Sequence, residues 1–118
     1  MRYKELADAI RRGAKMRPQG FGGVKKQIAL GTSCALLSAY EAIEGYPGAE
    51  FCSRYLMLWA AKQFPNLPLS EVIARNDSVG QNREQIADWL DSLKEPGESD
   101  SDWAKRRVAE VTRVKEVV

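Results

Sequence analysis

The sequence predicts a mainly α protein: a compact bundle of about five helices, a small irregular or β-hairpin insertion, and a C-terminal helix. Three observations point that way. Apolar residues recur at i, i+3, i+4 and i+7 in one segment after another. Gly and Pro stand mostly between those segments rather than inside them. The one stretch whose glycines are too dense for a helix is GFGG at 20–23. At 118 residues, 44% hydrophobic and 29% charged, the chain is long enough to bury a core as one domain without staples.

Tyr3, Leu6, Ala7, Ile10 and Ala14 share one face of a helix expected over 3–15, which Gly13 weakens and Arg17-Pro18 stops. Over 19–31, Val24 and Ile28 to Leu30 favour extended structure. That segment reads as a loop or as a hairpin turning near Lys25-Lys26, which persists only if helices cover it. Thr32 or Ser33 is the expected cap of a second helix, with Leu36, Ala39, Tyr40 and Ile43 as its stripe and Gly45 and Pro47 as its stop. A third helix over 49–64 is apolar almost all round, from Phe51 through Trp59 to Ala61, which predicts a central position.

Leu69, Val72 and Ile73 open a short fourth helix, with Ser70 as its cap and Asn76-Asp77-Ser78 as its end. Asn82 caps the fifth, and Gln85 three residues on completes a capping box ahead of Ile86, Trp89, Leu90 and Leu93. The core domain is therefore expected over 1–94, a linker at 95–102 (EPGESDSD), and a last helix over 103–118 capped by Ser101 or nearby. Valine is a modest helix former, so the last helix needs a surface to pack on: its own core, a second protomer, or neither if it frays.

Composition excludes several chemistries. There is no histidine, which removes Ser-His-Asp and Cys-His catalysis and the commonest metal ligand. Cys34 and Cys52 form no CxxC, so a zinc site and any other metal or cofactor site are not expected. No apolar run spans a bilayer and the N-terminus lacks a signal-peptide pattern, so a cytoplasmic address without membrane contact is the expectation. The net charge of +2 hides an asymmetry. Residues 1–26 hold eight Lys/Arg against two Asp/Glu, residues 27–100 five against eleven, and residues 101–118 five against three.

Two sets of candidate residues follow. Arg11, Arg12, Lys15, Arg17, Lys25 and Lys26, with Lys105, Arg106 and Arg107 in the tail, are candidate contacts for an anion or a nucleic acid. Trp103, Val108, Val111 and Val114 are a candidate interface for a partner protein or a second copy. A helix-turn-helix in 70–93 is disfavoured, because its second helix carries Glu84, Asp88 and Asp91, a poor guest beside phosphates. GFGGVKKQ matches neither GxxxxGK[ST] nor GxGxxG. Cys34 stands where a helix start lowers a thiol's pKa, but Tyr40 occupies the arginine position of a C-x5-R loop, so a buried structural residue is the simpler reading. Asn76 is expected to face inward and satisfy loose backbone ends in the Val79-Gly80 turn, while Glu41/Glu44 and Asp88/Asp91 read as solvated helix faces.

LADAIRRGAKMRPQGFG, SCALLSAYEAI and EVIARNDSVGQNREQIADWLDSL together resemble a group of small uncharacterised proteins from bacteria and their phages. In that group a CALGA-like helix precedes a closing ND…G.(T/S)REQIADWL segment. The resemblance covers residues 4–93 and leaves the tail unmatched; this chain has CALLSA where the group tends to have a glycine. It implies one compact helical domain and no activity. The sequence thus leads to a non-enzymatic protein-interaction module, as a homodimer or an adaptor, with a small nucleic-acid-binding regulator as the alternative.

Overall fold

The computed structural model describes residues 2–45 and 53–117, with the side chains of 111–117 outside the description. Among the described residues there are seven helices: α1 (Tyr3–Ala14), α2 (Val24–Ala29), α3 (Ala35–Glu44), α4 (Ser53–Gln63), α5 (Leu69–Asp77), α6 (Arg83–Ser92) and α7 (Asp100–Val117). The mainly α expectation is met.

The architecture centres on α1, which packs against both α3 and α6. Its apolar face is buried as the spacing predicts, at Tyr3, Leu6, Ala7 and Ile10, and the face continues to Gly13. Leu37 and Tyr40 of α3, Ile86 and Leu90 of α6, and Phe64 and Val72 complete the interior. Gly13 is more than a weak helix end. A Cβ there would lie 2.0 Å from the Ser38 carbonyl oxygen, so the missing side chain lets α1 and α3 approach backbone to backbone.

The capping box on α6 is present: Gln85 N donates to Asn82 Oδ1 at 2.7 Å, and Asn82 N donates to Gln85 Oε1 at 2.9 Å. Gly45, in the left-handed conformation, ends α3.

Five expectations are corrected. The insertion forms no hairpin: 24–29 is helical, and the sole β feature among the described residues is an isolated parallel bridge between Gln19 and Ser33. Buried Gln27 explains this, because its Nε2 donates to Gly22 O at 2.8 Å while its Oε1 accepts from Cys34 N at 2.6 Å, tying both ends of the segment to one helical turn. The cap of α3 is Cys34, whose Sγ accepts from Leu37 N, because Ser33 is turned into the interior against Ser38. Helix α4 is peripheral: Leu56 and Ala60 are buried, whereas Tyr55, Met57 and Leu58 are exposed. Residues 49–52 of its expected span lie outside the described residues. Pro68, not Ser70, occupies the N-cap position of α5. Glu41 is buried against Arg17 at 3.1 Å rather than solvated.

Candidate functional site

Helix α7 starts where Ser99 offers its hydroxyl oxygen to Asp102 N at 3.1 Å, two residues before the expected Ser101. Its first two turns are fastened to the end of α6. Trp103 Nε1 donates to Ser92 O at 2.9 Å, and Arg106 donates through Nη1 to Asp91 O at 2.7 Å and through Nη2 to Leu93 O at 2.9 Å. These carbonyls have no partner inside a helix that is ending, so an arginine and an indole from a later segment supply the donors. Arg106 also grips Glu98 in a bidentate pair, Nε to Oε2 at 3.0 Å and Nη2 to Oε1 at 2.9 Å. That bond holds the Glu98 carboxyl at about 2, well below its ordinary range.

Residues 95–102 make further contacts. Glu95 is buried and reaches the start of α1, accepting from Tyr3 N at 2.7 Å and from Lys4 N at 3.2 Å. Composition marks these residues as linker-like, and nothing in the sequence announces that one of their carboxylates meets the other end of the chain.

The nine candidate cations divide by partner. Arg11 is surrounded by carboxylates from two helices: Asp8 at 3.3 Å, Glu84 at 3.0 Å, Asp88 at 2.8 Å and Asp91 at 2.7 Å. Arg17 holds Glu41, Arg106 holds Glu98 and Glu110, and Arg107 also pairs with Glu110. Arg12 and Lys15 on the last turn of α1 and just beyond, Lys25 and Lys26 on α2, and Lys105 on α7 are exposed, with no ion pair among the described residues. The basic beginning and acidic middle of the chain therefore meet within the fold, chiefly at Arg11.

Of the candidate interface residues, Trp103 is half-buried in the α6 junction, whereas Val108 is 66% exposed. Val111 and Val114 belong to α7, with side chains outside the description. The exposed Ala104, Lys105, Val108 and Ala109 face away from the junction, while Trp103, Arg106, Arg107 and Glu110 lie against it or against one another. No helix among the described residues is long and apolar enough to cross a membrane.

A second place in the fold gathers chemistry. Asn76, near the end of α5, accepts through Oδ1 from Gln19 Nε2 at 3.0 Å and from Ala35 N at 3.2 Å; its Nδ2 donates to Gly20 O at 3.0 Å and to Asp77 Oδ1 at 2.8 Å. The inward position is the one the spacing predicts, but the backbone groups it satisfies are Gly20 O and Ala35 N rather than those of the Val79-Gly80 turn. Beside Asn76, Cys34 and Asp77 line a cavity of about 210 Å³ with Leu36, Leu56, Val72 and Ile73. Burial pushes the Cys34 thiol up, outweighing the Leu37 amide that favours the thiolate.

Sequence reasoning also missed Arg83. It is buried, and its guanidinium donates to Arg17 O at 2.7 Å, Ser33 Oγ at 3.0 Å and Ser38 Oγ at 3.1 Å, joining α6 to the ends of α1 and α3. No protein family, curated protein or solved structure matches the chain, so function rests on this geometry.

Proposed function

We propose that this chain is a non-enzymatic protein-interaction module that associates with a second copy of itself through the outward face of α7. The observation that carries the reading is Val108, 66% exposed on a helix whose opposite face is the one fastened to α6. An 18-residue helix is about 27 Å long at ~1.5 Å per residue. The anchoring bonds of Trp103 and Arg106 lie in its first seven residues, and the stretch beyond them is shorter than the ~12–15 residues an isolated helix needs in water. A second α7 laid along the first supplies the missing apolar cover, with Val108 and, by spacing, Val111 at the seam.

Sedimentation velocity of the full chain, of Val108→Glu and of a chain ending at Arg107 tests this. A concentration-dependent dimer for the full chain and monomers for both variants are expected. A full chain that stays monomeric at every concentration, or a Val108→Glu variant that still dimerises, sinks the proposal.

A second reading, a nucleic-acid-binding regulator, is supported by Arg12, Lys15, Lys25, Lys26 and Lys105, which are exposed and have no ion pair among the described residues. Anisotropy of a labelled random duplex at ~50 and ~200 mM salt decides it, because phosphate contacts weaken steeply over that range.

A further inference from the structure

Beside Asn76 lies an apolar cavity of about 210 Å³, walled by four different segments: the turn at 22–24 and the first residues of α3, α4 and α5's last turns. Its interior is built from Val24, Leu36, Leu56 and Val72, all buried, with Ile73 and Met57 nearer the opening. For comparison, an apolar cavity of about 150 Å³ is large enough to hold benzene. A single ring with a short substituent therefore fits the space.

The polar groups at the opening decide what that substituent must be. Four amide donors around this region are already engaged. Gly22 N donates to Asp77 Oδ1 at 3.1 Å, Val24 N to Ser53 Oγ at 3.1 Å, Ala35 N to Asn76 Oδ1 at 3.2 Å, and Leu37 N to Cys34 Sγ at 3.4 Å. An anionic ligand arriving here finds no free N–H among these four and no lysine or arginine in the lining. Asp77 is the reverse case, an exposed residue at the rim: its Oδ1 accepts from Gly22 N and Asn76 Nδ2, while its Oδ2 has no protein donor and no cation among the described residues and faces solvent. The lining thus offers apolar walls, neutral Cys34 and Ser53, and one carboxylate oxygen able to accept at the mouth.

We propose that this cavity binds a small primary ammonium ion carried on a single aromatic ring or a short aliphatic body. The body fills the space between Leu36, Leu56 and Val72, and the ammonium donates to Asp77 Oδ2. The site is independent of α7 and of the dimer.

The test is calorimetric titration of the full chain with 2-phenylethylamine, 2-phenylethanol and 3-phenylpropionate, which share a ring and differ in head-group charge. The amine is expected to bind saturably and about tenfold tighter than the alcohol, as a charge-assisted bond to a carboxylate implies, with no binding of the acid. Asp77→Asn keeps an acceptor for Gly22 N and should lower the affinity for the amine to that for the alcohol. Ile73→Phe narrows the opening from a partly exposed position and should abolish both. Thermal melts of the two variants confirm that they remain folded. Equal affinity for amine and alcohol, indifference to Asp77→Asn, indifference to Ile73→Phe, or no saturable binding of the amine would each overturn the proposal.

Discussion

Glu95 Oε1 lies 2.7 Å from the backbone nitrogen of Tyr3, a bond spanning 92 residues of sequence. Its other oxygen lies 3.2 Å from Lys4 N and 3.7 Å from Arg2 Nε. The first turn of α1 has donors that no residue within the helix can satisfy, and the residue at its N-cap position, Arg2, makes no side-chain cap bond. A carboxylate from beyond α6 takes that role, and its negative charge also suits the positive end of the helix.

Glu95→Ala removes this cap from a buried position and leaves the Tyr3 amide without its acceptor. A loss of about 1–2 kcal/mol in urea denaturation is expected. Glu95→Gln keeps one acceptor oxygen and should lose less. If the two variants match the parent chain, the contact contributes nothing to folding.

Asn76 uses both ends of its amide on four groups from the 19–20 strand of loop, α3 and its own neighbour Asp77. Asn76→Ala orphans the Ala35 amide and the Gly20 carbonyl together. The expected cost is about 2–4 kcal/mol, because a buried polar group left unpaired loses more than an exposed one. A midpoint within error of the parent would mean that water replaces the amide.

At an exposed helical position, Gly→Ala usually stabilises by roughly 1 kcal/mol. Gly13→Ala should do the opposite. The new methyl would meet Ser38 O at 2.0 Å and Ser38 C at 2.5 Å, and backbone atoms cannot rotate away. Helices α1 and α3 must separate, at a cost of about 1–3 kcal/mol. A more stable Gly13→Ala variant would show that the close approach does not hold in solution.

The pH dependence of the α7 junction follows from Glu98, whose carboxyl Arg106 holds at about 2 instead of 4.5. A carboxyl depressed in the folded state favours folding when ionised. The contribution is complete above the ordinary carboxylate range and disappears as pH falls through about 2. The gap in denaturation midpoint between the parent chain and Glu98→Gln should therefore be full above about pH 5 and shrink steadily below it. A constant gap down to about pH 2 would place the effect in neutral hydrogen bonds rather than in charge.

How much of this was legible in the sequence depends on how local each cause is. The α6 capping box joins residues three apart, so Asn82 and Gln85 announce it without help from the rest of the chain. The α1 stripe, the Gly45 stop and the inward Asn76 are equally local in origin, and they appear where the pattern puts them. Helix α2 was not legible, because Gly-rich flanks and β-favouring Val24 and Ile28 argue against it. It forms around the bonds of Gln27, one of which reaches forward to Cys34. The apolar composition of α4 gave the wrong position for a related reason: hydrophobicity shows that a face can be buried, not which neighbour arrives to bury it.

The candidate site divides in the same way. Nine cations could be named from composition, but only the fold brings Arg11 to Asp88 and Asp91, Arg17 to Glu41 and Arg106 to Glu98, leaving Lys25, Lys26 and Lys105 open to solvent. The sequence by itself determined the helical class, the capping box of α6, the Gly45 stop of α3 and the absence of histidine chemistry, since these rest on backbone preference and residue inventory. The tertiary structure alone decided that Glu95 caps α1, that Gly13 lets two helices touch, and that Asp77 faces an apolar cavity. The physical reason is range: periodicity and capping act within a turn or two of chain, whereas the partners of a buried charge are set by whichever segments the packed core brings alongside it.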